Sequence, residues 1–268
     1  MVSTPSDEYD VLALRYASRG SNKASEYFRY DIYRQPDQVQ EMDYFFWLVR
    51  NNDRTVLVDC GFNRERGLAK NRVQEIDPIE LLARVDVKAQ DVDHVVISHL
   101  HYDHVGNVDL FPNATFSIAR EEYDFWSGTY GSRELMKAFV IPEELQMVQD
   151  LNKQERLHFI DGSDEIFPGV VATRLGGHTP GQVMVEVGTN SGHLVLAADA
   201  VHYYEELELD RPFKLFHDIG DMYRAFDILR ELDAAPDRTV IAGHDPRVRS
   251  MFQAIQPDCI DLTKPIEN

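Results

Sequence analysis

Cations are scarce in this chain and cysteine is almost absent. Lys and Arg number 27 against 46 Asp and Glu, a formal net charge of −19. A surface of that sign repels phosphate backbones and anionic lipid, so neither nucleic acid nor membrane is expected as a partner. Cys60 and Cys259 are the two cysteines. So widely separated a pair gives no disulfide framework, and a reducing, cytoplasmic setting is expected. Cys60 follows an apolar run and reads as a buried, inert thiol. The longest apolar stretches, 44–49 and 194–198, are far too short to span a bilayer. The first ten residues are polar and acidic, without the cationic start and apolar core of a secretory signal. Repeats, low-complexity tracts and linkers rich in Gly, Ser or Pro are missing too. The expectation is one domain over residues 1–268.

What is present is a β-rich pattern punctuated by helices. Residues 11–16, 44–50 and 55–58 are rich in aromatic and β-branched side chains and read as strands, with Asn51, Asn52 and Asp53 as a hairpin turn. Pro78 opens a short helix over 78–84, and 94–97 is a compact apolar strand. The charged stretch 120–153 reads as a helical insertion, interrupted by Gly128, Gly131 and Pro142. Strands resume at 156–160, 170–175, 182–187 and 193–198. An amphipathic helix over 218–232 and a last strand at 238–242 follow. The order strands, helices, strands, helix, strand fits an α/β fold of two packed sheets with helices outside, a four-layer α/β/β/α sandwich.

Five of the ten histidines lie in three short segments, each just after an expected strand. The first is Ser98-His99-Leu100-His101-Tyr102-Asp103-His104, the second surrounds His178 after Gly176 and Gly177, and the third is Gly243-His244-Asp245. Asp199 ends the strand at 193–198. His99 and His101, two apart in extended chain, can chelate one ion. Asp103 and His104 continue into a helical turn and can face a second ion beside it. Imidazole with one or two carboxylates suits Zn²⁺ best, with Fe, Mn or Co as alternatives. Four ligand-type residues within six positions are hard to reconcile with ordinary core or surface histidines. His94, His158, His193 and His217 do read as ordinary, with His217 the one placed to reach a pocket rim. Tyr123, Phe125, Trp126 and Tyr130, at helix-like spacing, read as core, with the wall of an apolar pocket as the alternative.

The run His99 to His104 resembles the H-x-H-x-D-H signature of the metallo-β-lactamase superfamily, and His178, Asp199 and His244 follow in that family's order. Asp59-Cys60-Gly61 resembles its early Asp-x-Gly element. Within the superfamily the segments 176–182, 197–200 and 242–245 are most similar to those of N-acyl-homoserine lactonases. The resemblance implies two metals: His99, His101 and His178 on one, Asp103, His104 and His244 on the other, and Asp199 bridging. It implies opening of a lactone, an N-acyl-homoserine lactone or a relative, by a metal-bound hydroxide. Asp103 would pass a proton to the leaving alkoxide. Asp59 would orient a ligand histidine. One departure stands out. Three residues after Asp199 those lactonases carry a substrate-contacting Tyr, where this chain has His202, followed by Tyr203 and Tyr204. His202 is the candidate for steadying the oxyanion, with Tyr203 or Tyr204 as the alternative replacement for that Tyr.

Rival readings share the site. A β-lactamase is disfavoured by Asp199, where zinc β-lactamases place a Cys. A glyoxalase II-type thioesterase would carry a helical domain after His244, and only 24 residues follow it. A small-phosphoester hydrolase and a non-catalytic metal-binding protein complete the alternatives. A small-molecule substrate is expected, and a homodimer is left open.

Overall fold

The run at 44–49 is apolar at every position because both faces of its strand are covered. A computed structural model of the chain describes residues 7–266. Its strands are β1 Asp10–Asn22, β2 Val39–Arg50, β3 Thr55–Val58, β4 His94–Val96, β5 Thr115–Ala119, β6 Leu157–Ile160 and β7 Ser163–Phe167. They continue with β8 Val170–Arg174, β9 Val183–Thr189, β10 Gly192–Leu196, β11 Arg238–Ile241, β12 Phe252–Gln256 and β13 Cys259–Pro265. In β2, Phe45, Trp47 and Val49 point to one core while Tyr44, Phe46 and Leu48 point to another. This is the period of two that a strand imposes on its side chains. β1 does the same, with Val11 and Ala13 on one side and Leu12, Leu14 and Tyr16 on the other.

Those two cores, with a third, define four layers. Eight strands form one sheet in the order β12-β13-β1-β2-β3-β4-β5-β6, and five form the other in the order β11-β10-β9-β8-β7. Between them lies the core of Val11, Phe45, Trp47, Val58, Val185 and Leu196. Leu81 and Leu82 of the helix Pro78–Arg84, and Val148 and Leu151 of the helix Pro142–Lys153, cover the outside of the larger sheet. Met222, Phe226 and Leu229 of the helix Ile219–Asp233 cover the outside of the smaller one. The segment 120–153 holds the helices Arg120–Ser127 and Pro142–Lys153 with a 3-10 turn at Met136–Ala138 between them.

Four strands escape the sequence pattern: β5, β7, β12 and β13. β5, Thr-Phe-Ser-Ile-Ala, is five residues long, and its Thr115 and Ser117 bond His94 instead of extending an apolar run. β12 and β13 extend the larger sheet through the register Leu12↔Asp261, Ala13↔Ile260 and Leu14↔Cys259. Their stretch is short and carries Asp261, a residue rare in strands, whose carboxylate is satisfied by Thr263 and Lys264. β7, Ser-Asp-Glu-Ile-Phe, is an edge strand, where charge is tolerated because one side faces water. Among the described residues no helix is long and apolar enough to cross a membrane.

Candidate metal centre

Strand direction gathers the histidine segments at one edge. β3 and β4 are parallel, so Asp59 and the Ser98–His104 loop leave the larger sheet side by side. β10 and β11 are parallel, so Asp199 and His244 leave the smaller sheet together. β9 runs antiparallel to β10, which brings the β8–β9 connection carrying His178 to the same edge. A backbone bond from Val183 N to Ser98 O, 2.9 Å, joins the two sheets there. Two glycines permit the crowding. Gly177 has φ of +91°, and a Cβ on Gly243 would sit 2.4 Å from the carbonyl oxygen of Ala198.

The seven residues fall into two groups: His99, His101, His178 and Asp199 in one, Asp103, His104 and His244 in the other. Within each, the donor atoms lie within 4.8 Å of one another. Apart from Asp103, which is half-buried, all are buried. Most of the rings are fixed from outside. His104 Nδ1 donates to Asp59 Oδ2 at 2.7 Å, His178 Nδ1 to the Leu215 carbonyl at 2.9 Å, and His244 Nδ1 to the Asp43 carbonyl at 2.7 Å. Ser98 Oγ, 2.7 Å from Asp59 Oδ2, lies 3.0 Å from His99 Nδ1. With the outer nitrogens carrying the protons, the inner Nε2 of a neutral ring presents a lone pair; at His104 burial is outweighed by Asp199, Asp59 and Asp103, which push its pKa well up. Burial and the neighbouring rings hold His99 and His178 well below the usual imidazole range, and so neutral.

Asp199 stands between the groups. Its Oδ1 is 3.0 Å from His244 Nε2 and 3.2 Å from His104 Nε2, while its Oδ2 is 3.3 Å from His178 Nε2 and 3.7 Å from His99 Nε2. Against burial, which would raise its pKa, His104, His202 and His244 hold this carboxyl well below the ordinary range. Donors bonded to one ion at ~2.1 Å stand roughly 3.0–3.4 Å apart, and most of these separations fall there. His99 Nε2, His104 Nε2 and Asp199 Oδ1 are buried without a hydrogen-bond partner. Buried nitrogens and carboxylate oxygens converging without hydrogen-bond partners are a donor set suited to cations. The residues present fit two divalent ions.

The profile of the family described as Metallo-beta-lactamase superfamily matches residues 42–244, a span that includes all seven donors. The chain belongs to the metallo-beta-lactamase superfamily. It is a metal-dependent hydrolase. An N-acyl homoserine lactonase of a Bacillus species is 28% identical over 225 residues, covering 78% of this chain and 84% of the relative. A quorum-quenching N-acyl homoserine lactone lactonase of solved structure has a TM-score of 0.75 at 22% identity, covering 96% of this chain and 100% of its own. AidC, a dizinc quorum-quenching lactonase solved with a product, has a TM-score of 0.74 at 19% identity, covering 99% and 97%.

Against that superfamily background, the surroundings of the site hold residues that spacing alone could not reveal. Glu122, fully buried, accepts from Leu100 N, Gly181 N and Trp126 Nε1 at 2.9, 2.9 and 2.7 Å, tying together the loops of His99 and His178. Glu206, also buried, takes the backbone N–H groups of His202, Tyr203 and Phe213. A buried acid in a helix leaves no mark in sequence beyond its helical spacing. His202 lies between two carboxylates, Nε2 3.1 Å from Asp199 Oδ2 and Nδ1 3.3 Å from Glu206 Oε1, with its ring stacked on Phe213 at 3.8 Å. Burial lowers its pKa, but the two carboxylates outweigh burial and push it up to about 10. Tyr203 is packed in the core beside Tyr27, and Arg247 lies over the Tyr204 ring.

A cavity of about 470 Å³ opens over Asp103, His178, Asp199, His202 and His244. A smaller apolar one of about 140 Å³ adjoins it through His101, Phe139, His178 and Leu215, walled by Phe125 and Trp126 and reaching His217. Tyr123 instead packs on Phe159, and Tyr130 is exposed. His94 bonds Thr115 and Ser117 away from the site, and His193 pairs with Glu186. Cys60 is buried, and burial pushes its thiol far above the usual range.

Proposed function

We propose that this chain opens lactone rings with two divalent ions, most suitably Zn²⁺, with Fe, Mn or Co as substitutes. In this reading His99, His101 and His178 hold one ion, Asp103, His104 and His244 hold the other, and Asp199 bridges them. The observation that carries it is the division of Asp199, one carboxylate oxygen turned to each histidine group. Such a pair of ions lowers the pKa of a shared water and polarises a carbonyl.

The chain's own residues complete the chemistry. Asp103, half-buried on the cavity wall, accepts a proton at its carboxylate and delivers it to the departing alkoxide oxygen. His202, a charged donor lining the same cavity, steadies the oxygen that gains negative charge. Asp59 and Ser98 hold His99 and His104 in the tautomer and orientation a ligand needs. The larger cavity suits a small ring, and the adjoining apolar one suits an acyl chain. The similarity to N-acyl homoserine lactonases supports a lactone, acylated or simpler, over the thioesters, β-lactams and phosphotriesters open to the same donor set.

Metal-loaded protein assayed against acyl-homoserine lactones, γ- and δ-lactones, a chromogenic cephalosporin, a glutathione thioester and a phosphotriester tests the reading. Lactone turnover is expected, and robust turnover of another member without it would overturn it. Asp199→Ala should lose metal and activity together; a fully active variant would refute the bridge. His202→Ala should lower turnover with metal content unchanged, whereas loss of metal would make His202 part of the metal scaffold.

A further inference from the structure

The larger cavity carries a charge opposite to that of the chain. Its lining away from the metal donors includes Arg19, Lys70, Arg72 and Lys214. Among the described residues lining it, Glu26 is the one carboxylate outside the donor set. Glu26 is buried and grips Arg19 in a two-pronged pair at 2.9 and 2.8 Å, so those two charges cancel. Lys70 reaches the Ala138 carbonyl at 2.7 Å. That leaves Arg72 and Lys214, the second of which also feels the Glu26 charge.

Within the cavity, Arg72 is bonded differently from Arg19, although Arg50, Arg64 and Arg156 elsewhere in the chain are likewise held by carbonyl or amide oxygens. Arg15, Arg19, Arg66, Arg211 and Arg249 each meet a carboxylate. Among the described residues Arg72 and Lys214 meet none within ion-pair distance. Arg72 spends Nε on the Tyr44 hydroxyl at 2.9 Å and one terminal nitrogen on the backbone carbonyls of Lys70 and Asn71 at 3.4 and 3.2 Å. Its other terminal nitrogen is uncommitted. Arg19 Nε reaches the same Tyr44 oxygen at 3.1 Å. At its other end the Tyr44 ring meets the His244 ring edge-on, with centroids 5.2 Å apart. One tyrosine thus spans the distance from a metal donor to the two guanidinium groups, and holds them in place.

A half-buried arginine with its fork anchored on one side and open on the other is built to receive an anion in a fixed position. We infer that the substrate carries a negative group, a carboxylate or a phosphate, a few bonds from its scissile carbonyl. Arg72 receives that group, with Lys214 at the cavity mouth. Resting on the hydrolase reading above, this sets the chain's substrate class apart from uncharged acyl lactones. The acidic surface excludes large anions while the cavity admits a small one.

Binding of matched non-hydrolysable acids separates this inference from the identity of the scissile bond. Glutarate and valerate share a chain length and one carboxylate for the metals, and differ by the second carboxylate. By calorimetry on metal-loaded protein at fixed low salt, glutarate should bind at least about tenfold tighter, the range of one charge-assisted hydrogen bond. Arg72→Met should erase that ratio and Arg72→Lys restore part of it. Lys214→Met, at an exposed position, should reduce it. 4-Phosphonobutyrate in place of glutarate decides between carboxylate and phosphate. Equal affinity for glutarate and valerate, or a ratio unchanged in both Arg72→Met and Lys214→Met, would overturn the inference. Failure of every lactone in the panel and of a γ-lactone carrying a carboxylate side chain, with the glutarate ratio intact, would overturn the lactone reading alone.

Discussion

Replacing Glu122 with alanine should loosen the site without touching a metal donor. The carboxylate is buried and receives three donors: the N–H groups of Leu100 and Gly181 and the Trp126 indole. Without it, each donor is left in a dry pocket at about 1–3 kcal/mol. Burial also raises the Glu122 pKa, a sign that the charge itself is costly there, so removal returns part of the loss. The lower end is the expectation, about 3 kcal/mol of a total near 5–15 kcal/mol. Urea unfolding of metal-free protein reads this directly. Metal affinity, read by competition with a chromogenic chelator, should fall as well, because Leu100 and Gly181 belong to the loops of His99 and His178. A cycle with Trp126→Phe sharpens the test. That change should cost about 1 kcal/mol less in the alanine background than in the native one, since its partner is already gone. An alanine variant within about 0.5 kcal/mol of native stability, with full metal affinity, would refute the assignment.

Three further outcomes follow from the same geometry. Asp59→Asn should lower metal affinity by about 10- to 100-fold, because Asp59 holds His104 directly and His99 through Ser98; unchanged affinity would show that packing alone orients the rings. Glu144 is buried beside Arg66; burial outweighs that partner and pushes its pKa up to about 8. The unfolded chain, with its acid near 4.5, then loses its proton first as pH rises. Native stability therefore falls between about pH 4.5 and 8, by at most about 1.4 kcal/mol per pH unit, and levels off beyond. Glu144→Gln should flatten that slope in urea melts of metal-free protein across the window, and parallel slopes would contradict it. Gly177→Ala forces a left-handed φ on alanine and sets its Cβ 2.7 Å from Met222 N, so a loss of at least about 2 kcal/mol is expected in the same melts. A neutral result would mean that the His178 loop can relax.

The fold was legible where burial is periodic. β2, β3, β8 and β9 read directly from aromatic and β-branched runs, and the helix Ile219–Asp233 from its apolar stripe. β5, β7, β12 and β13 were not: β7 and β12 are edge strands, which take their stability from a neighbour's backbone rather than from their own apolar alternation, and β5 and β13, inside the larger sheet, are short runs broken by polar residues such as Ser117 and Asp261.

The sequence alone determined which atoms could bind a metal and which strands they follow, because donor chemistry belongs to the residue type and His99 to His104 sit within one turn of chain. Only the tertiary structure decided how Asp199 divides between two groups, that Glu122 ties two loops, that His202 lies between Asp199 and Glu206, and that Arg72 faces the cavity without a carboxylate. Each of these is a meeting of side chains from distant segments. What sets them is where parallel strands end and what burial leaves unpaired, neither of which is written in local spacing.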